Sequence, residues 1–155
     1  MYKQTREEFY LNIAKTTSQR STCLKIKRGC IIVNREYDVI TSMGYFASPV
    51  NCTECVAIDE CIVDNCNNPM YCRGAGAITN ALLYMNPNEK YCDMFIYTED
   101  AKTGKCIYSE PTYDEIKLIL NAHIFNVYIA HPNGEYISMT AEEMFNNMID
   151  SMVIT

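Results

Sequence analysis

The sequence predicts an α/β protein, a three-layer α/β/α sandwich built on a mixed sheet of about five strands. Two patterns support this prediction: an early pair of strands joined by a short turn, and later strands that alternate with helices. The chain has 155 residues, of which 48% are hydrophobic. That length and composition are sufficient for one domain with a substantial core, so a single domain over residues 1–155 is expected.

The first half of the chain begins with a helix and a hairpin. Residues 4–19 have apolar side chains at helical spacing, among them Phe9 and Ile13. Residues 28–33 end in the apolar run Cys30-Ile31-Ile32-Val33, which suits a buried strand. Residues 34–38 form a turn and residues 39–45 the hairpin partner. Residues 47–73 are irregular and contain five of the nine cysteines.

The second half alternates helices and strands. The pattern predicts helices over 74–85, 112–122 and 140–152, and strands over 94–98 and 126–130. Residues 100–110 form a loop with a turn at Thr103-Gly104 and space for a short strand over 106–108. Thr140 and Glu143 have the spacing of a capping box at the start of the last helix.

The charge balance limits the partners. The formal net charge is −6 and the pI is near 4.9, which argues against a binder of nucleic acid polymers, because such proteins need a basic surface. Small anionic ligands remain compatible, since a few basic side chains hold a phosphate. The sequence shows neither a secretory leader nor a long apolar run, so we expect no membrane association and a cytoplasmic location.

Several short motifs, in order, resemble the deoxycytidylate (dCMP) deaminase family. Residues 20–23 read R-S-T-C, residues 29–33 correspond to the family's G-A-x-I-V strand, and Gly44-Tyr45 begins its G-Y-N-G turn. Asn80-Ala81 closes what is H-A-E-x-N-A in the family, and residues 119–128 match the helix and strand that follow its P-C-x-x-C motif. The resemblance covers about residues 6–130 and implies a cytidine-deaminase-like fold.

The residues that perform deamination in that family are replaced in this chain. The family holds zinc with one His and two Cys, and a Glu moves protons during hydrolysis. Aligned on Asn80, the His and Glu positions hold Gly76 and Ile78; aligned on Pro111, the two Cys positions hold Thr112 and Glu115. The resemblance therefore implies no catalytic zinc and no deaminase activity. His123 and His131 lie downstream of both motifs, and we interpret them as polar residues in surface turns.

The cysteines indicate a second kind of metal site. Many members of the family bind a structural zinc with residues from this loop and from the R-S-T-C motif, which contains Cys23. The candidate ligands are therefore Cys23, Cys52, Cys55, Cys66 and Cys72, with Cys61 as a further member of the loop. The spacing is equally compatible with free or partly disulfide-bonded thiols.

Ligand binding in the remodelled pocket is the remaining expectation. The family's turn lines its nucleotide pocket, and here that turn contains Phe46, an aromatic residue able to stack on a base or to fill the pocket, and Ser48. Gly76 opens space where a metal ligand stood, while Asn80 is retained. Arg73 and Arg28 are candidate phosphate contacts, although a solvated charge is the plainer interpretation of each. The family joins the strand that corresponds to residues 94–98 directly to its P-C-x-x-C helix, so residues 100–110 are an insertion by comparison. The inserted loop would cover or reshape the same pocket, or be a tolerated surface excursion.

Three functions fit these observations. The first is a non-catalytic protein that binds a nucleotide or a cyclic-nucleotide signal, in the host cytoplasm as a sponge against host defence if the gene is viral, for instance from a phage. The second is an inactive regulatory or structural subunit of an active dCMP deaminase, assembled as a homo-oligomer (a hexamer by family resemblance) or with the enzyme through the apolar face of the last helix. The third is a diverged enzyme, either a zinc-dependent dCMP deaminase or one with chemistry moved to Asp114, Glu115 or a cysteine.

Overall fold

A mixed five-stranded sheet forms the middle layer of the computed structural model, which describes residues 2–153. The spatial order is β2-β1-β3-β4-β5. The strands are β1 (Ile26–Asn34), β2 (Val39–Tyr45), β3 (Cys92–Asp100), β4 (Ile124–Ala130) and β5 (Tyr136–Thr140). Strands β3 and β4 are parallel and the other neighbouring pairs are antiparallel.

Alternation along β1 divides the core between the two faces of the sheet. Cys30 and Ile32 point to the face that packs against α4 (Ala77–Tyr84), α5 (Tyr113–Asn121) and α6 (Ala141–Val153). Ile31 and Val33 point to the opposite face, which α1 (Arg6–Ser18) covers. Helices therefore lie on both faces, and the predicted three-layer sandwich with five strands is confirmed.

The fifth strand lies elsewhere than the sequence suggested. Residues 106–108 make only a single bridge, between Cys106 and Glu99. The fifth strand is β5, which follows the turn at Pro132–Gly134 and pairs with β4. Its side chains are mostly exposed, so it lacks the apolar alternation by which a strand is found in a sequence.

The loop 47–73 contains three short helical turns that were not predicted. These are α2 (Cys55–Ile58), α3 (Ile62–Cys66) and a 3-10 turn at Pro69–Tyr71. Asp59 and Asn67 end the first two in the left-handed conformation. Each turn is too short to show helical periodicity, which explains why the segment reads as irregular.

The apolar face of α6 packs on the core of the chain. Met144 is 3% exposed, and Phe145 and Met148 pack against the same buried cluster. This is the simpler of the two interpretations of that face, and it removes the main reason for assigning the face to an assembly. Within residues 2–153, no helix combines the length and the hydropathy that crossing a membrane requires.

Gly29 marks the closest approach of α1 to the sheet. A Cβ atom at this position would lie 2.1 Å from the Ala14 carbonyl oxygen and 2.6 Å from the Ser18 nitrogen. Because both are backbone atoms, no rotamer change would relieve the contact. The glycine of the first-strand motif therefore determines how tightly the helix packs on β1.

Candidate functional site

The N-termini of α4 and α5 meet at one end of the sheet. Gly76 is the N-cap of α4 and Thr112 is the N-cap of α5. A Cβ atom on Gly76 would lie 3.6 Å from Glu115 Oε2 and 3.5 Å from Thr79 Oγ1. The fold thus brings together positions from the two motifs that the sequence alignment had placed at one centre.

The polar side chains from α5 are engaged in capping their own helix. The Thr112 hydroxyl accepts from the Glu115 backbone N–H at 3.2 Å, and Glu115 Oε1 accepts from the Thr112 backbone N–H at 3.0 Å. This is a complete capping box. Ile78, on the first turn of α4, is fully buried in the core. Thr112 and Ile78 therefore have structural roles at this end of the sheet.

A buried arginine faces Glu115. Arg28 lies on β1 and points to the same face as Cys30 and Ile32; it is 8% exposed. Its Nη1 lies 3.8 Å from Glu115 Oε1, and its Nη2 donates to the Ser109 carbonyl oxygen at 3.1 Å. Burial lowers the pKa of the guanidinium, and the negative charge of Glu115 acts in the opposite direction. The interpretation of Arg28 as a solvated charge is therefore wrong.

Two buried polar atoms, one on Arg28 itself and one on its neighbour Thr98, lack hydrogen-bond partners among the described residues. Arg28 Nε and Thr98 Oγ1 make no hydrogen bond within the described part of the chain. Arg28 and Thr98 are paired in register across β1 and β3, so the two side chains lie next to each other. Buried polar groups of this kind normally bind a partner, commonly an ordered water.

The inserted loop 100–110 folds over this end of β3. The Ile107 N–H donates to the Thr98 carbonyl oxygen at 2.9 Å, and the Asp100 N–H donates to the Lys105 carbonyl oxygen at 2.9 Å. The Ser109 carbonyl then meets Arg28 as described above. Of the two effects expected of the insertion, covering is the one seen at the Arg28–Glu115 pair.

Four cysteines line a small cavity of about 20 Å³, which we call the cysteine cavity; they are Cys23, Cys55, Cys61 and Cys72. Burial raises the pKa of the Cys55 thiol, and the charges of the other three raise it further. Cys52 and Cys66 are exposed and lie outside this group. The fold thus places together three of the five cysteines proposed as ligands and adds Cys61.

The four thiols that line the cysteine cavity are of the chemical type that binds zinc. Four thiolates are a common structural zinc set. Within residues 2–153, however, no three His, Cys, Asp or Glu side chains stand close enough together to form a ready metal site. The thiols would have to move closer together to bind the metal.

The predicted ligand-binding residues are divided between this cavity and its surroundings. Phe46, Ser48 and Arg73 line the cysteine cavity. The Phe46 ring covers Gly74, where a Cβ atom would lie 2.5 Å from the ring. Asn80 donates from its side-chain amide to the Tyr45 carbonyl oxygen at 3.0 Å, so it fixes the turn after β2.

A larger cavity of about 500 Å³ lies on the other side of that turn; we call it the turn cavity. Arg20, Tyr45, Ser48 and Asn51 are among its lining residues. The Arg20 guanidinium carbon lies 5.7 Å from the centre of the Tyr45 ring. Ser48 Oγ is buried and makes no hydrogen bond among the described residues. This cavity was not predicted from the sequence, although Arg20 and Tyr45 both belong to the motifs that carried the resemblance.

Two solved structures that are similar to this chain are those of a phage enzyme. The crystal structure of dCMP deaminase from the cyanophage S-TIM5 in apo form aligns with a TM-score of 0.61 and 22% identity over 94% of both chains. The structure of that enzyme in complex with dCMP and dUMP aligns with a TM-score of 0.59 and 26% identity over 82% of both chains. No protein-family model matches the sequence, and no curated protein matches it. This chain has a dCMP-deaminase-like fold. The fold implied by the short motifs is thereby confirmed.

Proposed function

We propose that this chain is a non-catalytic protein of the dCMP-deaminase-like fold that binds a nucleotide. The observation that carries the proposal is the Arg28–Glu115 pair. It lies where the two motifs converge, which is the place where the resemblance would put a catalytic zinc.

The residues at this place fit poorly with hydrolysis at a metal. The two thiolate positions hold Thr112 and Glu115, and both side chains are already used in the capping box of α5. A guanidinium 3.8 Å from the carboxylate repels a divalent cation at the same place. Ile78 has no proton to give at the position of the proton-shuttling glutamate.

The turn cavity supports nucleotide binding. Its volume, about 500 Å³, lies in the range of small-molecule pockets. Tyr45 and Arg20 offer a ring and a cation for a base and a phosphate, and the Ser48 hydroxyl needs a hydrogen-bond partner. The similar phage enzyme was solved with dCMP and dUMP. The cysteine cavity, at about 20 Å³, has room for little more than a water or an ion, so Phe46 and Arg73 would border the nucleotide site only after the loop moves.

A structural zinc in the cysteine cavity is part of this proposal. Cys23, Cys55, Cys61 and Cys72 would hold it. Bound there, the metal would order a loop of few regular hydrogen bonds, and it would have no part in chemistry on a substrate.

Ligand-induced stabilisation tests nucleotide binding. We expect dCMP, dUMP or a cyclic nucleotide to raise the Tm of the zinc-loaded chain, since a ligand at 100 times its Kd stabilises by about 2.7 kcal/mol. Arg20→Met and Ser48→Ala should reduce the shift, whereas Lys102→Met, on the exposed loop 100–110 and outside the lining of the turn cavity, should leave it unchanged. A Tm unchanged by all of these nucleotides at millimolar concentration would refute the binding part of the proposal.

A second candidate is an inactive subunit of an active dCMP deaminase. Exposed apolar side chains at the end of α4 and on the adjacent edge strand β2 favour it: Leu83 is 69% exposed, Tyr84 68% and Met43 50%. These residues replace α6 as the surface that an assembly would use. Co-purification with an active deaminase, lost on Leu83→Glu, would support this candidate, and a monomer in analytical ultracentrifugation with no such partner would exclude it.

A further inference from the structure

A separate cavity of about 610 Å³ lies at the opposite end of the sheet; we call it the α6 cavity. Its walls are the segments entering β3 and β4 and the first turn of α6. Thr98, beside Arg28, is six residues along β3 from Cys92, so the two ends are about 20 Å apart. The volume is typical of a site for a small molecule.

Basic side chains surround this cavity although the protein is acidic overall. Arg35, Lys90 and His123 line it, against one carboxylate, that of Glu142. Arg35 contacts the buried Asp93 through Nε, 3.3 Å from Oδ2, which leaves its two terminal nitrogens for another partner. Lys90 makes no ion pair with any described residue. Two cationic side chains on the wall of one cavity favour an anion, and a phosphate matches the fork of the guanidinium.

Two aromatic rings stand beside the cations. Tyr91 is 69% exposed and Phe125 is 51% exposed. The Arg35 guanidinium carbon lies 4.9 Å from the centre of the Phe125 ring, and the Arg35 backbone N–H donates to the Tyr91 carbonyl oxygen at 2.8 Å. Arg35 thus contacts both segments that carry the rings, the one before β3 and the one at the start of β4. Exposed rings next to cations are the combination that binds a nucleobase together with its phosphate.

The backbone at the cavity is held in an unfavourable conformation at two places. Tyr91 has φ of 60° and His123 has φ of 61°, both in the left-handed region that side chains larger than glycine avoid. The two residues immediately precede β3 and β4. This conformation turns both segments towards the same cavity, and strain of this kind is concentrated at binding sites.

We propose that the α6 cavity is a nucleotide-binding site distinct from the turn cavity. Arg35 and Lys90 hold the phosphate and Phe125 and Tyr91 stack on the base. Because stacking accepts any base, the site discriminates little between purine and pyrimidine nucleotides. Glu142 weakens the site by repelling the phosphate.

Backbone amide NMR with defined probes tests this proposal. On titration of the zinc-loaded 15N-labelled chain with dCMP and with dAMP, we expect shifts at residues 35, 90, 91, 123, 125 and 140–142, with similar Kd values. Inorganic phosphate and deoxycytidine alone should bind at least 10-fold more weakly than dCMP.

Single substitutions at exposed residues of the cavity wall sharpen the test without altering the core. Lys90→Met should weaken dCMP binding at the α6 cavity at least 10-fold, and Phe125→Ser should do the same through the loss of the ring. Glu142→Gln should tighten it several-fold, because it removes the only carboxylate on the cavity wall among the described residues. Lys102→Met is the matched control for the loss of one surface charge and should leave the Kd unchanged.

The outcomes separate this site from the turn cavity. Shifts confined to residues near Tyr45 and Ser48 would overturn the α6 site and leave the proposed function intact. Shifts at neither place would overturn both. Phosphate binding as tightly as dCMP would overturn the role of the rings. Shifts at the α6 cavity that depend on protein concentration without any nucleotide would assign the cavity to self-association instead.

Discussion

Neutralising Glu115 tests whether the buried ion pair holds the converging helix ends together. In Glu115→Gln the amide oxygen still accepts from the Thr112 N–H, so the cap survives while the charge opposite Arg28 is lost. Removing one partner of a buried pair costs about 3–5 kcal/mol. The Arg28–Glu115 separation, 3.8 Å, is too long for a hydrogen bond, so we expect the lower end, about 3 kcal/mol. In a chain of this size that corresponds to a fall in Tm of roughly 6–12 °C.

The chain supplies a matched control for this substitution. Glu143 occupies the same position of a capping box, with its Oε2 accepting from the Thr140 N–H at 3.1 Å, but it faces no buried cation. Glu143→Gln should therefore cost only a few tenths of a kcal/mol. The assay is urea unfolding followed by circular dichroism, at constant zinc, because bound metal alone changes the free energy of unfolding.

Replacing both partners completes the cycle. Arg28→Met removes the buried guanidinium, and the double variant Arg28→Met/Glu115→Gln should cost clearly less than the sum of the single changes, because neither charge is left unpaired. Equal losses for Glu115→Gln and Glu143→Gln, or additive single changes, would show that Glu115 acts only as a helix cap.

Three other measurements check separate parts of the structure. Cys61→Ser should reduce zinc from about one to near zero per chain, while Cys52→Ser should leave it unchanged, because only the former thiol lines the cysteine cavity. Gly29→Ala should lower the free energy of unfolding by about 2–3 kcal/mol or more through its clash with the α1 backbone, whereas Gly76→Ala, with its nearest neighbour at 3.5 Å, should cost far less. Burial raises the pKa of Asp93 above its ordinary 3.8 despite opposing arginines; because the folded-state pKa is the higher one, its contribution to stability is greatest below about pH 3.8 and declines as the pH rises through the folded-state value. Carbon-13 NMR of the Asp93 carboxyl group should show this late deprotonation.

The sequence predicted the elements that have strong periodicity. Strand β2 has the predicted bounds, 39–45, and β1 and α5 differ by only one or two residues at each end. Strand β5 was not predicted, because its residues are mostly exposed and therefore do not alternate between apolar and polar types. The segment 106–108 has strand-like residues but contacts β3 through a single bridge.

The sequence predicted which positions meet at the site, but it did not predict the contacts that Arg28 makes there. The two motifs correctly placed Gly76 and Glu115 side by side, since motif spacing reports which helix ends converge. Arg28 could not be assigned, because a charged residue at the start of a predicted strand is ordinarily solvated. Its burial here depends on its contacts with the inserted loop and with Glu115. The cavities at Arg20 and at Lys90 depend on long-range packing and leave no local pattern.

Zinc content and dCMP deamination, measured on one purified sample, decide whether this chain has a catalytic metal centre. We predict zinc near one per chain, lost in the variant Cys61→Ser, and no conversion of dCMP to dUMP at any zinc concentration. Zinc near two per chain, or turnover that a chelator abolishes, would contradict the account, because a second metal would then have to occupy the place assigned to Arg28 and Glu115.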